Sequence, residues 1–244
     1  MNKLKNYRMI DPTDSFVTKK DRLFDLPMRI LIIAKTGSGG KSTTLARMLL
    51  DKHFYRDDFE PENIFIFSGS FKGDAKLNII KRELDVPDQN MVDGFDENHL
   101  EVIYDQLVDE YNEKISDGET DPKKLNSLIV FDDLAYTGCM KANSKGDQLT
   151  RIFMNGRKYL ISCIVISQKY SSVGTTLREN ASGLILGQSS NKQLCLISDD
   201  HNYMENTKEF HKMFKKTTNK PFGKVIINFT HPTLYQNESY EDIV

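Results

Sequence analysis

A glycine-rich turn that ends in a lysine and hydroxyl residues carries the clearest chemistry in the sequence. Its residues are Thr36, Gly37, Ser38, Gly39, Gly40, Lys41, Ser42 and Thr43. Glycines allow backbone N–H groups to close around an anion, a lysine can reach the terminal phosphates of a nucleotide, and the hydroxyl that follows can bind Mg²⁺. We therefore predict that these residues bind ATP, that Lys41 also acts in catalysis, and that Ser42 is a ligand of Mg²⁺.

The residues around this phosphate loop (residues 36–42) have the pattern that such a loop requires. Residues 29–34 are apolar apart from Arg29 and include three isoleucines, which predicts a buried strand, and residues 41–52 have the periodicity of a helix. A glycine usually lies six positions before the lysine, but Lys35 occupies that position here. Either Lys35 adds a cation near the phosphates, or one of Gly39 and Gly40 is an extra residue that loosens the loop. The sequence leaves both alternatives open.

Two adjacent aspartates follow another apolar run. Residues 128–131 read Leu-Ile-Val-Phe, and Asp132 and Asp133 come directly after them. Carboxylates at the carboxyl end of a buried strand lie where α/β proteins bind ligands, and they suit Mg²⁺ binding and water activation. We predict that Asp132 binds the metal, directly or through a water, and that Asp133 is the general base. The alternative is a helix cap or a solvated loop pair, which the phosphate loop upstream disfavours.

Three further polar residues are candidates for catalysis. Gln168 follows the apolar run 161–166 and could contact the γ-phosphate or hold the attacking water, although it could also simply end the strand. Arg157 lies just before that run, and Arg178 lies after it. Either arginine could stabilise charge on a transferred phosphoryl group, within its own chain or from a neighbouring subunit. An ordinary surface arginine is the alternative for both.

Strands and helices alternate along most of the chain. The sequence predicts strands at 29–34, 63–67, 128–131, 161–166, 183–186 and 224–229, and helices at 41–52, 74–84, 96–115, 147–158 and 200–214. Such alternation predicts an α/β fold with a mainly parallel sheet and helices on both faces. We assign residues 1–27 to an N-terminal extension, residues 28–234 to one domain, and residues 235–244 to a loose acidic C-terminal tail.

The composition is that of a soluble globular protein. The 244 residues are 39% hydrophobic and 28% charged, enough apolar content to build a core, and the formal net charge is −2. This charge excludes a globally basic nucleic-acid binder but not local basic patches. The N-terminus has no apolar segment of signal-peptide length, and the run at 28–34 is too short to span a bilayer. The histidines and cysteines show no metal-binding spacing.

Taken in order, these elements resemble the FtsK/HerA group of P-loop ATPases, and within it the poxvirus-type genome-packaging ATPases of large DNA viruses and virophages. The resemblance covers about residues 28–190 and rests on the phosphate loop, Asp132-Asp133, Gly156-Arg157-Lys158, Ser167-Gln168, and Leu177-Arg178-Glu179-Asn180. It implies a three-layer P-loop NTPase domain of RecA-like (ASCE) type that hydrolyses ATP with Mg²⁺. It also implies an arginine that acts across a subunit boundary. Lys158 departs from the family pattern, because viral relatives often have a histidine there.

The resemblance further implies a homo-oligomeric ring, a pentamer or hexamer, that moves double-stranded DNA into a capsid and contacts a capsid or portal component. The expected location is the viral replication site in the host cytoplasm, or the virion, without a membrane partner. Lysines could contact DNA phosphates without reading sequence. The candidates are Lys208, Lys212, Lys215, Lys216, Lys220 and Lys224 near the C-terminus, and Lys141 and Lys145 in the loop after Asp133. Solvated lysines on a helix face are the alternative.

Other functional classes stay open at this point. One is another ATP-driven DNA motor, of the segregation, conjugation or helicase type. A second is a small-molecule kinase, for which the aspartate pair is less expected. A third is a nucleotide-responsive scaffold with weak hydrolysis, which the irregular phosphate loop makes more credible. No Asn-Lys-x-Asp signature of guanine recognition follows a strand, which disfavours a GTPase.

Overall fold

The computed structural model describes residues 16–35, 37, 40–141 and 147–244. Three members of the predicted phosphate loop (Thr36, Ser38 and Gly39) and the predicted DNA contact Lys145 lie outside the described residues. Within the described ranges the chain forms eight strands: β1 (Arg29–Ile33), β2 (Ile64–Ser68), β3 (Met91–Asp93), β4 (Ser127–Asp132), β5 (Ile161–Ser167), β6 (Gly183–Leu186), β7 (Val225–Asn228) and β8 (Leu234–Gln236).

Helices connect most of these strands. They are α1 (Lys41–Leu50), α2 (Ala75–Leu84), α3 (Glu97–Ser116), α4 (Pro122–Leu125), α5 (Gln148–Asn155), α6 (Thr175–Glu179), α7 (Asn191–His201) and α8 (Thr207–Thr218). Short 3-10 turns lie between them, among them Ala135–Thr137, Gly156–Tyr159 and Tyr170–Ser172. None of the helices in the described ranges is both long enough and apolar enough to cross a membrane.

One mixed sheet contains all of these strands, in the order β3-β2-β4-β5-β1-β6-β7-β8. The strands from β3 to β6 in this order are parallel to their neighbours, whereas β7 is antiparallel to β6 and β8 is antiparallel to β7. The carboxyl ends of β1, β2, β4, β5 and β6 therefore lie at the same edge. This arrangement places the described residues of the phosphate loop, Asp132-Asp133 and Gln168 at that edge, because each lies at the end of one of these strands or shortly after it.

Alternate residues of each central strand pack on opposite faces of the sheet. Ile30 and Ile32 of β1 face a core that includes residues of α1 and α2, whereas Leu31 and Ile33 face a second core formed with α3, α5, α7 and α8. The side chains of β4 and β5 are buried throughout, as expected for strands covered on both faces. The predicted three-layer α/β fold with a mainly parallel sheet is therefore confirmed.

The predicted helix at 200–214 is wrong, because two helices occupy this region. Helix α7 ends at His201, and α8 begins at Thr207. Each helix has its own capping side chain: Ser190 accepts a hydrogen bond from the Gln193 N–H, and Asn206 accepts one from the Glu209 N–H. Asn206 therefore starts a second helix, as Asn does at many helix N-termini. Strands β3 and β8 and helices α4 and α6 were also missed by the sequence pattern.

Residues 235–244 belong to the fold, so the predicted loose tail is wrong. Gln236 is fully buried in β8, and its side chain donates hydrogen bonds to the carbonyl oxygens of Arg22 and Tyr240, each at 3.1 Å. The Tyr240 ring packs edge-on against Phe24, which is also buried. The described part of the predicted N-terminal extension thus packs against the chain's last residues. The domain boundaries that we assigned after residues 27 and 234 stay predictions.

Candidate active site

The N-terminus of α1 faces the carboxyl edge of the sheet. Helix α1 begins at Lys41, and its N-cap residue Gly40 has a left-handed backbone (φ 55°). Among the described residues no side chain caps this helix, whereas Asp, Ser or Asn side chains cap α2, α3, α4, α5, α7 and α8. The first N–H groups of α1 therefore lack a side-chain acceptor, and together with the helix dipole they form a favourable anion site.

Gly40 occupies a position that favours glycine. A methyl group at this position would lie 2.9 Å from Cδ1 of Phe222, and a left-handed backbone is costly for most other residues. Gly37 also has a positive φ of 85°. The two described glycines of the phosphate loop thus adopt backbones that glycine favours. Phe222 lies beside them and lines a cleft of about 440 Å³ together with Gly37 and Gln188.

Asp132 is a buried carboxylate without a protein partner for one of its oxygens. It is 2% exposed, and its Oδ1 accepts no hydrogen bond from the described residues. Burial, followed by the charges of Asp133 and Asp74, raises the pKa of Asp132 from 3.8 to about 6, while the charge of Lys41 acts in the opposite direction. Lys41 therefore lies close enough to interact with Asp132. A buried carboxylate with a free oxygen is suited to a cation ligand.

The oxygen groups at this position fit Mg²⁺. The Asp132 carboxylate and the Ser42 hydroxyl are hard oxygen ligands of the kind that Mg²⁺ prefers. Among the described residues no group of three or more His, Cys, Asp or Glu side chains could hold a metal by itself. This is compatible with Mg²⁺, which proteins usually bind through one or two carboxylates together with substrate phosphates and waters.

Asp74 is a third acidic residue at this site, and the sequence did not indicate its role. It is the N-cap of α2, and its Oδ2 accepts a hydrogen bond of 2.9 Å from the Ser42 hydroxyl. Helix α2 also contacts α1 through Lys76, whose ammonium group donates to the Thr43 hydroxyl at 2.6 Å. The only sequence signal was an acidic residue shortly after the end of a buried strand, which is too common a pattern to be informative.

Asp133 and Gln168 follow the ends of the neighbouring strands β4 and β5 and are in direct contact. The Gln168 side-chain amide donates a hydrogen bond of 2.8 Å to Oδ1 of Asp133. Asp133 has a left-handed backbone (φ 53°), an uncommon conformation for a non-glycine residue that is often found at functional sites. Both side chains line a cleft of about 500 Å³ that also includes Tyr136, Lys141 and Lys169. The pair is therefore placed to contact a water or a ligand in this cleft.

Arg157 lies far from these residues in its own chain. It belongs to the turn Gly156–Tyr159, which precedes β5 and so lies at the amino edge of the sheet. Burial, followed by the charge of Arg157, lowers the pKa of Arg29, the first residue of β1 on the same edge. A strand of this length separates the two edges by roughly 20 Å. A catalytic role of Arg157 within its own chain is therefore wrong, and only action on a neighbouring subunit stays a prediction.

Arg178 takes part in a largely buried polar cluster. Its guanidinium forms an ion pair with Asp200 and lies over the ring of Tyr170, 4.9 Å from the ring centre. The Tyr170 hydroxyl in turn donates to Asp200 at 2.8 Å and hydrogen-bonds with Nε2 of His201 at 2.6 Å. Burial lowers the pKa of His201 to about 4, so His201 is neutral near pH 7. The arginine is committed to contacts within its own chain, which leaves its predicted catalytic role without structural support.

Replacing Asp132 by asparagine should stabilise the protein in the absence of nucleotide and metal. Because folding raises the pKa of Asp132 from 3.8 to about 6, its favourable contribution exists below pH 3.8 and is lost as the pH rises through 6. At pH 7.5 the variant should therefore have a free energy of unfolding up to about 3 kcal/mol higher than the wild type.

Urea unfolding in EDTA at several pH values measures this difference, which should shrink steadily between pH 7 and pH 4. Asp199→Asn, at an exposed position of α7, is the matched control for the loss of one aspartate charge. A variant that is less stable than the wild type at pH 7.5 would mean that the Asp132 charge is compensated within the protein.

Several solved structures have a fold similar to that of this chain. The genome-packaging NTPase B204 from Sulfolobus turreted icosahedral virus 2 in complex with AMP superposes with a TM-score of 0.59 at 12% identity, covering 89% of this chain and 99% of that chain. The DNA-packaging ATPase B204 from Sulfolobus turreted icosahedral virus gives a TM-score of 0.56 at 15% identity, covering 87% and 97%. ATPases 2 and 3 of EssC from Geobacillus thermodenitrificans give 0.54 at 15% identity, covering 82% and 37%. At these identities the similarity concerns the fold alone.

The fold and the site at the carboxyl edge of its sheet define a P-loop NTPase. A search of curated protein sequences gives no match. The sequence profile of the poxvirus A32 protein family, however, matches residues 16–236, so the chain belongs to that family. The protein is an ATPase of this family, and its predicted resemblance to FtsK/HerA-type and poxvirus-type ATPases is confirmed.

Proposed function

We propose that the protein hydrolyses ATP with Mg²⁺ to move double-stranded viral DNA into a capsid. The observation that supports this most strongly is the hydrogen bond of 2.8 Å between Gln168 and Asp133, at the same sheet edge as Asp132 and the Lys41 end of α1. The Lys41 charge acts on the ionisation of Asp132. Lys41 and Asp132 suit phosphate and cation binding, respectively, and the bonded pair Gln168 and Asp133 suits water activation. Membership of the poxvirus A32 protein family and the fold shared with viral packaging ATPases support the choice of substrate.

Each residue at the edge has a distinct proposed role. Lys41, the described loop residues Gly37 and Gly40, and the first turn of α1, including Thr43, hold the phosphates. Ser42 and Asp132 hold Mg²⁺, which supplies positive charge against the phosphate oxygens. Asp133 accepts the proton of the attacking water, and Gln168 orients Asp133 and that water. The cleft lined by Gly37, Gln188 and Phe222 provides space beside the loop for the nucleoside.

The positive charge available for DNA differs from the pattern expected from the sequence. Lys224 is 7% exposed, and its ammonium group donates to the Phe222 carbonyl, so it is not a surface contact. Lys220 forms an ion pair of 2.6 Å with Glu238. Four exposed lysines remain along α8: Lys208, Lys212, Lys215 and Lys216.

A second positive region lies at the active-site edge itself. Lys35, Lys169 and Lys192 line a cleft of about 580 Å³ that shares Gln168 with the cleft of Asp133. Contacts from such lysines to the DNA backbone would be independent of sequence and sensitive to salt. In a pentameric or hexameric ring, with Arg157 acting on the neighbouring subunit, this edge would face both the nucleotide and the DNA. The ring would act with a capsid or portal component in the host cytoplasm or on the virion.

Duplex DNA should increase ATP hydrolysis several-fold at low salt, and the stimulation should decrease as salt concentration rises, because phosphate contacts release counterions. Changing both Lys212 and Lys216 to glutamine should reduce the salt dependence by about one unit of log–log slope per lysine, without changing hydrolysis in the absence of DNA. Steady-state ATPase assays measure both effects, with the oligomer mass determined in the same samples.

Lys52→Gln is the matched control, since Lys52 is exposed just beyond the far end of α1. It should leave the DNA stimulation unchanged. Hydrolysis that does not respond to DNA at any salt concentration would contradict the proposed translocation while leaving the ATPase itself intact.

A further inference from the structure

The carboxylate of Asp74 joins the starts of two helices. One oxygen, Oδ1, accepts hydrogen bonds from the backbone N–H groups of Lys76 and Leu77, at 2.8 and 3.4 Å, and so caps α2. The other oxygen, Oδ2, accepts the Ser42 hydroxyl at 2.9 Å. Ser42 is the second residue of α1, directly after Lys41. Asp74 therefore determines the direction in which the Ser42 hydroxyl donates its proton.

This direction affects what else Ser42 can bind. A serine hydroxyl has one proton to donate and two lone pairs that can accept or coordinate. Because the proton points at Asp74, the lone pairs are left for a cation. A hydroxyl that is free to rotate would lose part of this preference, since ordering it costs conformational entropy. Metal sites commonly depend on such outer partners, which orient the residues that touch the ion.

The charge of Asp74 is more than the helix cap requires. Asn and Asp are almost equally good N-caps, so capping alone does not need a carboxylate. Here Oδ2 of Asp74 accepts the Ser42 hydroxyl at 2.9 Å, so the negative charge lies directly beside a proposed Mg²⁺ ligand. Asp132 is also 2% exposed, with one oxygen that accepts no hydrogen bond from the described residues. A buried carboxylate oxygen that accepts no hydrogen bond from the described residues, and a second carboxylate that contacts the Ser42 hydroxyl, form a set of oxygen groups that suits a cation.

Asp96 shows what a purely structural cap looks like in this protein. It is the N-cap of α3, and its Oδ1 accepts hydrogen bonds from the backbone N–H groups of Asn98 and His99, at 2.9 and 3.2 Å. Within the described residues these are the hydrogen bonds of its carboxylate, and both come from its own helix. Asp74 makes the same two capping bonds and adds the bond to Ser42. The bond to Ser42 therefore distinguishes Asp74 from a cap that serves only its own helix.

We propose that Asp74 is a positioning residue for the Mg²⁺ of the nucleotide complex, which orients the Ser42 hydroxyl and adds negative charge around the ion. This inference rests on the proposed function, because it assumes that the site binds ATP with Mg²⁺. Asp74 does not itself need to touch the metal. Its carboxylate would act through the Ser42 hydroxyl.

The test is the effect of Mg²⁺ on nucleotide affinity in Asp74→Asn. Asparagine keeps the α2 cap, so thermal unfolding of the variant should stay within a few degrees of the wild type. Titration with a fluorescent, non-hydrolysable ATP analogue should show that Mg²⁺ improves binding about tenfold less than in the wild type. Affinity measured in EDTA should be unchanged or higher. Asp74→Ser, which also keeps a capping oxygen, should behave in the same way, and Asp96→Asn should match the wild type throughout.

The outcomes separate this inference from the proposed function. Asp74→Asn and Asp74→Ser that retain the full effect of Mg²⁺ would overturn the inference and reduce Asp74 to a helix cap. Equal losses with and without Mg²⁺ would also overturn it, because they would indicate a general disturbance of α1. A wild-type protein that binds no analogue in either buffer would overturn the proposed function, and the inference with it.

Discussion

Replacing Lys41 by alanine should reduce the affinity for ATP by about 100-fold or more, since charge-assisted bonds to phosphate are among the strongest single contacts in proteins. The side chain stands at the first position of α1, close enough to influence the ionisation of Asp132. Its removal takes away the cation at the anion-binding end of the helix and leaves the negative charge of Asp132 beside the phosphates. Fluorescence titration with an ATP analogue in Mg²⁺ measures the loss directly.

Lys35→Ala is the informative control for this prediction. Lys35 occupies the position where phosphate loops usually have their first glycine, but its side chain is exposed and lines the cleft of Gln168 and Lys192. We therefore expect a change of less than about threefold in affinity, as for a peripheral surface charge. Equal losses in the two variants would mean that Lys35 also contacts the phosphates. Full binding by Lys41→Ala would refute the phosphate-loop assignment.

The central strands and the polar residues at their ends were readable from the sequence because they depend on local patterns. Strands β4 and β5 are buried on both faces, so they appear as unbroken apolar runs, and the parallel order brings the residues after them to one edge. The contact between Asp133 and Gln168 follows from this arrangement, although the two residues are 35 positions apart. Buried strands and their topology thus carried most of the information about the site.

The features that the sequence missed depend on contacts between distant segments. Strand β3 has only three residues and pairs with β2 alone, so it leaves no apolar run to recognise. Asp74 lies 32 positions from Ser42, in a segment whose glycines and serines look like an ordinary loop. In the sequence, Lys224 looks like a surface lysine. In the folded chain it is buried and donates to the Phe222 carbonyl, and this burial lowers the pKa of Lys224. Composition and periodicity contain no signal for these contacts.

Replacing Asp133 by asparagine should leave ATP binding intact and reduce turnover by about 100-fold or more, the usual contribution of a general base. Asparagine tolerates the left-handed backbone of this position, and its side-chain oxygen can still accept the bond from Gln168. The substitution therefore removes the basic carboxylate while keeping the geometry. Analogue titration and single-turnover hydrolysis separate the two properties. Asp132→Asn is the companion variant, and in it Mg²⁺ should no longer improve the affinity for the ATP analogue. The two variants together would identify Asp132 as the metal ligand and Asp133 as the base. Wild-type turnover in Asp133→Asn would exclude Asp133 as the base and leave the water to be activated by another group at this edge.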